Sequence, residues 1–290
     1  MDTYANKRYS LILLWPCLII YGLFFVVPVL MGVGYSFTTW TISDARFYGL
    51  GNYIRLLTQP DVNTTFYTTL VFTVVSTALK VTLGLLLALF LNKKFVLNNT
   101  LRTIFYMPCI INSVGVGIIF IALMHPTTGL INSGLRALGL HFMALSWLAD
   151  PNIAIYSVAM VEVWKWTGFT MMIFLAGLQT VPAEYYEAAE LDGSSPFQKF
   201  WHVTFPLIMP VFNNALILNL IGGLKIFDIV LATTGGGPGR ATQVMNIFIY
   251  KSFSSGRFGE GTAGNVLLTI IVALIAIPIY LRIRKSEVDV

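Results

Sequence analysis

Six apolar runs alternate along the chain with stretches rich in Gly, Thr and charged residues: about 11–34, 64–91, 103–124, 152–178, 207–232 and 262–281. A hydrocarbon layer roughly 30 Å thick needs about 20 helical residues to cross it, so each run is long enough to span. The first outruns a signal-peptide core, which holds about 7–15 apolar residues, and reads as a retained span kinked at Pro16 and Pro28. Pro108 and two glycines interrupt the third. The pattern predicts an all-α membrane protein of six transmembrane helices, with 1–290 forming one transmembrane domain.

Between the fourth and fifth runs lies a polar island, 179–206. Pro182 suits a first helical turn, where its missing N–H would be unpaired anyway. The alanines and glutamates from Ala183 onward favour helix, and Gly193 supplies the left-handed conformation that ends one. Ser194-Ser195-Pro196 reads as a second start, a serine cap before a proline. The island is therefore expected to be two short helices around a glycine turn. Tyr185, Tyr186, Ala188, Ala189 and Leu191 are expected on an exposed face, either docked in a partner's groove or resting on the lipid surface.

Six spans put the island and both termini on one side. Near span ends that side carries Lys7, Arg8, Lys93, Lys94, Arg102, Lys199, Arg282, Arg284 and Lys285. The other side has Arg46, Arg55, Arg136, Arg240, Lys251 and Arg257, spread over longer loops. The excess of basic residues, nine against six, assigns the island and both termini to the cytoplasm. With 56% hydrophobic and 11% charged residues in 290, the net charge of +5 fits retained cytoplasmic basic residues and gives no reason to expect nucleic acid.

Ionisable residues inside the runs are the candidate chemistry. Lys80, Lys165 and Lys225 lie within spans, as do Glu162 and Asp228. Each costs several kcal/mol in lipid, so each is expected to face the bundle interior and find a partner. Glu162 with Lys165, and Lys225 with Asp228, are three apart and could pair on one helix face. They are either structural ion pairs or the lining of a pathway in which Trp164 or Trp166 offers an aromatic face. Lys80 shares a stripe with Thr69, Thr73, Ser76 and Gly84 that reads as helix–helix glue. No catalytic constellation and no metal-ligand spacing emerge: His125, His141 and His202 are scattered, and Cys17 and Cys109 sit in apolar runs where they pack. The run Gly235-Gly236-Gly237 lacks the lysine of a phosphate loop and reads as a tight turn.

The segment EAAELDG, Glu187 to Gly193, followed by Phe205-Pro206 and Met209-Pro210, resembles the EAA loop of permease subunits of ABC importers. The stretches WKWTGFTMMIFLAGLQTVP and LKIFDIVLATTGGGPGRAT resemble carbohydrate permeases related to the maltose and glycerol-phosphate transporters. The resemblance implies a type I ABC importer permease fold, in a bacterial cytoplasmic membrane. The implied partners are a second, homologous permease subunit, two cytoplasmic ABC ATPase subunits, an extracytoplasmic solute-binding protein, a sugar and membrane lipid. It also implies no catalysis or cofactor in this chain, since ATP and Mg belong to the ATPase. Glu187, Ala188, Ala189, Asp192 and Gly193 match the motif that couples to the ATPase. Faces matching the sugar contacts of the maltose relative include Glu162, Trp166 and Phe169 on the fourth span, and Asn219, Gly223 and Ile226 on the fifth. Apart from Ile226, these form the expected pathway set together with Lys165, Lys225 and Asp228. Gly223 and Ile226 stand where that relative offers asparagines. A permease for amino acids or polyamines, and an ion-gradient-driven transporter using Glu162 and Asp228, are the alternatives.

Overall fold

The protein was described from a computed structural model covering residues 14–93 and 96–284. Lys7, Arg8, Lys94 and Lys285, which entered the charge count, lie outside the described residues. The described elements are helical, apart from an isolated bridge between Thr38 and Phe47. Helices are the economical answer to hydrocarbon, because each satisfies its own backbone groups.

The chain divides into two compact units. The first runs through Thr58 and includes Ile249–Leu267. It contains α1, Trp15–Tyr35, which passes through a π turn at Gly22–Val26 and has no fully buried residue. It also contains α2, Gly51–Thr58, whose Asn52 donates from Nδ2 to the carbonyls of Ser36 (2.9 Å) and Thr38 (2.8 Å).

The second unit, Gln59–Phe248 with the residues from Leu268, holds the remaining spans apart from the first part of the last helix. Its axis is α3, Pro60–Leu91, against which α7, Ala154–Thr180, packs along most of its length. Between them in sequence come α4, Asn98–Ile110, α5, Ser113–Leu123, and the short α6, Leu130–Ala137. The helix α3 is inside-out by the standard of a soluble protein. It buries Thr65, Thr69, Thr73, Ser76 and Lys80, while Leu70, Val74, Leu83, Leu86 and Phe90 face outward. Hydrocarbon outside removes any penalty for exposed leucine, and small or polar residues inside let helices approach and hydrogen-bond. Accordingly Thr69 Oγ1 accepts from the Met245 amide (3.0 Å), and Gln243 Nε2 donates to Thr65 Oγ1 (3.2 Å). The stripe read as glue behaves as glue, with Lys80 meeting Glu162 of α7.

Two expected spans are broken. The third comprises α4 and α5 at 98°. Pro108 removes an amide near the end of α4, Ile111 turns extended, and Asn112 restarts the helix by accepting from the Val114 amide (2.8 Å). The fifth comprises Pro196–Leu207, termed α9, and α10, Met209–Leu224, at 71°. The helix α10 ends at Leu224 instead of continuing toward 232; Lys225–Phe227 breaks it, and α11 resumes over Asp228–Thr233. By length and composition four helices could cross a membrane, or up to six if each bent pair is one span. The loop expected to run from 234 to 259 contains another helix, α12, Met245–Ser254. The last helix, α13, covers Phe258–Arg284.

Candidate functional site

Two features of the second unit gather the residues singled out in the sequence. The first is a cavity of about 370 Å³ where α3, α7 and the broken end of α10 meet. Its wall includes Lys80, Glu162, Trp166, Phe169, Asn219, Lys225, Ile226 and Asp228. Helical spacing places Glu162, Trp166 and Phe169 along one side of α7, and the break after Leu224 brings Lys225 through Asp228 to the same space. The carbonyl of Lys225 has lost its helical partner and accepts from Asn246 Nδ2 (2.7 Å). Asn219 is held by Ala215 O (2.9 Å) and by Thr170 Oγ1 (3.1 Å), which joins α10 to α7.

The pairing inside this cavity differs from expectation. Glu162 does not pair with Lys165 on its own helix; its Oε1 lies 3.6 Å from Lys80 Nζ on α3, with both side chains almost fully buried. Lys165 leans away, donating to the Cys109 carbonyl (3.4 Å) near the end of α4 and stacking its ammonium 4.5 Å from the Trp166 ring centroid. A carbonyl freed by the α4 break is a nearer acceptor for the lysine than the carboxylate one turn back. Lys225 and Asp228 are both exposed, on opposite sides of a break, and so do not share the helix face that their spacing suggested. Gly223 is not in the wall either. It is buried where α10 crosses α3, and a Cβ there would lie 3.0 Å from Thr73 Cα. Gly222, its neighbour, lines the cavity instead. Lys80 joins α3 to α7 through Glu162, as its reading as helix–helix glue expects; its phase with Ser76 and Gly84 was visible in the sequence, and the carboxylate opposite was not.

The second feature is the island. Ala183–Leu191, termed α8, ends at Asp192, and Gly193 takes φ of 73°, a conformation glycine adopts freely. Ser195 then opens α9 with a reciprocal capping box: its Oγ accepts from the Gln198 amide (3.3 Å) while Gln198 Oε1 accepts from the Ser195 amide (2.8 Å). Lys199 Nζ reaches Glu190 Oε1 across the turn (2.6 Å), and Thr204 Oγ1 donates to the Tyr186 hydroxyl (3.3 Å). The two helices are thus tied into one unit. Glu187, Ala188, Asp192 and Gly193 face outward. Ala189, expected on that outer face, is buried within the chain, and Tyr186 is half-buried because its hydroxyl turns toward Thr204. Leu191, 90% exposed, and Tyr185, nearly half exposed, lie on the outer face as expected, and Phe197 (73%) and Trp201 (nearly half) add to it. The sequence reading had passed over Phe197 and Trp201, which belong to the second short helix.

Against these geometries stand the likenesses to known proteins. The family described as binding-protein-dependent transport system inner membrane component matches residues 80–284, which contain both features apart from the first part of α3. The trehalose/maltose transport system permease protein MalF of Thermococcus litoralis is 32% identical, covering 99% of this chain and 97% of its own length. The multiple sugar-binding transport system permease protein MsmF of Streptococcus mutans is 32% identical over 97% of this chain and 96% of its own. A solved bacterial ABC transporter involved in alginate import shares the fold, with a TM-score of 0.84, 22% identity and 94% coverage of both chains.

Proposed function

The chain belongs to the family of binding-protein-dependent transport system inner membrane components, and from that premise we propose that it is a permease subunit of an ATP-driven sugar importer. What supports the sugar class most is full-length similarity, at about 30% identity, to permeases named for maltose, arabinooligosaccharides and other glycans. In this reading the chain forms half of a pathway through the bacterial cytoplasmic membrane, with a homologous permease supplying the other half. Both termini and the island face the cytoplasm. A pair of ATPase subunits binds the island, and an external solute-binding protein delivers the sugar; a relative of this fold has been solved with a sugar-bound periplasmic protein.

Mechanistically, α8 and α9 form a rigid knob because the capping box, the Glu190–Lys199 pair and the Gly193 turn fix their angle. Glu187, Ala188, Asp192 and Gly193, with exposed Leu191 and Phe197, are the docking face; Ala189 anchors it from inside. When ATP draws the ATPase pair together, the knob moves as one body. It pulls on α7 at one end and on α10 at the other, since the island joins them. That motion opens the cavity beside Glu162 to the outside, and hydrolysis resets it. Glu162, Trp166, Phe169, Asn219, Lys225 and Asp228 line the route, while Lys165 and Gly223 position the helices that carry it.

A mild-detergent pull-down from native membranes tests this. The expected result is an ATPase and a second permease with the wild-type chain, and loss of the ATPase alone with Gly193→Arg. Recovery of a stable complex without an ATPase would overturn it.

A further inference from the structure

We propose that the cavity beside Glu162 selects neutral, hydroxyl-rich sugars and rejects carboxylate-bearing glycans, with the Lys80–Glu162 pair as the discriminating element. This rests on the reading that the cavity lies on the sugar route. The fold leaves the question open, since one solved relative takes part in import of an acidic polysaccharide.

Three observations carry the selection. The charged side chains in the wall cancel: Lys80 and Lys225 against Glu162 and Asp228. Lys165, the nearby cation that would tip the balance, is not in the wall; it is engaged by the Cys109 carbonyl and the Trp166 ring. The charged side chains that line the cavity therefore sum to zero, and the positive charge of Lys165 stands behind the Trp166 ring.

Next, Glu162 is buried, and only one of its oxygens is used. Oε1 faces Lys80, whereas Oε2 has no hydrogen-bond partner. A buried carboxylate oxygen without a donor is unfavourable, and a ligand that brings a donor relieves it. A sugar hydroxyl has that proton to give. A sugar carboxylate has none, and sets a second negative charge against the first where little water screens it. Specificity built on an unpaired acceptor rejects the wrong ligand more strongly than it rewards the right one.

Last, Trp166 and Phe169 stand edge to face, 5.9 Å between ring centroids, beside the charged pair. Rings of this kind cover the apolar C–H faces of a sugar while the hydroxyls reach the Lys80 ammonium and the Glu162 carboxylate. A hydroxyl can donate to one and accept from the other, so a neutral polyol satisfies both halves of the pair at once.

The test uses the assembled transporter in nanodiscs, in a Cys17→Ala, Cys109→Ala background carrying Gly222→Cys as a reporter. Gly222 lines the cavity, and a Cβ there meets no atom within 4 Å. Maleimide labelling of that thiol is timed against two probes of equal length, a neutral α-glucan tetraose and a tetrauronate. The glucan is expected to slow labelling and the uronate to leave it unchanged at the same concentration. Adding Glu162→Gln, which leaves the wall with a surplus cation, should strengthen protection by the uronate about tenfold and weaken that by the glucan. Where that variant fails to assemble, Asp228→Asn makes the same change of charge at an exposed position without breaking the buried pair. Equal protection by both probes, with a ratio unmoved by either substitution, would overturn the selection while leaving the route intact. Protection by neither probe in any variant would remove the cavity from the sugar route and take the inference with it.

Discussion

The cavity and the island solve opposite problems with the same alphabet. Around Glu162 polar side chains of α3 such as Thr73, Ser76 and Lys80 are inside, while Leu70, Leu83, Leu86 and Phe90 are outside. On the island the charged residues and the leucine share one outer surface, with Leu191 and Phe197 more exposed than most residues of the spans. Lipid explains the first arrangement, because hydrocarbon is a neutral neighbour for a leucine. It does not explain the second: the island's helices are short and carry Glu187, Glu190 and Asp192 beside the apolar groups, which suits a protein groove better than hydrocarbon. In the proposed function, one region keeps its polarity for a solute, and the other keeps its hydrophobicity for a protein.

The comparison can be broken most forcefully at the buried pair. Lys80→Met leaves the Glu162 carboxylate uncompensated between α3 and α7, at a cost of about 3–5 kcal/mol. Thermal melting of the detergent-purified complex should show a large loss, and adding Glu162→Leu should restore most of it. No recovery in the double variant would mean the pair is not the source of the loss. On the island, Leu191→Asp with Phe197→Asp should leave the fold and its melting temperature intact. ATPase affinity in a binding titration should fall by about thirty- to a thousandfold, as expected when two apolar anchors of roughly 1–2 kcal/mol each are replaced by charges. Unchanged affinity would send the docking face elsewhere. Trp201→Ala, a single half-exposed ring at the same face, should cost about tenfold in the same titration. The smallest effect is expected for Ser195→Ala. It removes one capping acceptor, about 1 kcal/mol, and should appear as faster hydrogen exchange at the Gln198 amide with little change in global melting.

Much of this was legible in the residues. The island's two helices, its glycine turn and its serine cap followed from Pro182, Gly193 and Ser195-Pro196, because capping and left-handed turns are local chemistry. The gathering of Glu162, Trp166 and Phe169 into one wall was implied by the resemblance to the maltose relative, and helical spacing agrees with it. The failures share a cause. Lys165 was paired with Glu162 because they are three apart, yet each found a partner on another helix, Cys109 on α4 and Lys80 on α3. Gly223 and Gly222 are adjacent, and only the crossing of α10 over α3 decides which one faces the cavity. Ala189, expected outside, is buried because the fold tied α8 to α9 through Tyr186 and Lys199.

By itself, then, the sequence determined where apolar helices run, where the island lies and how its turn is made. Hydrophobic length and backbone capping are properties of neighbours along the chain. The tertiary structure alone decided which intramembrane charges meet, where the third and fifth apolar runs break, and which side of each helix borders empty space. Those outcomes depend on the rotation and depth at which one helix packs on another, and a side chain's contacts across that seam leave no mark in its own sequence spacing.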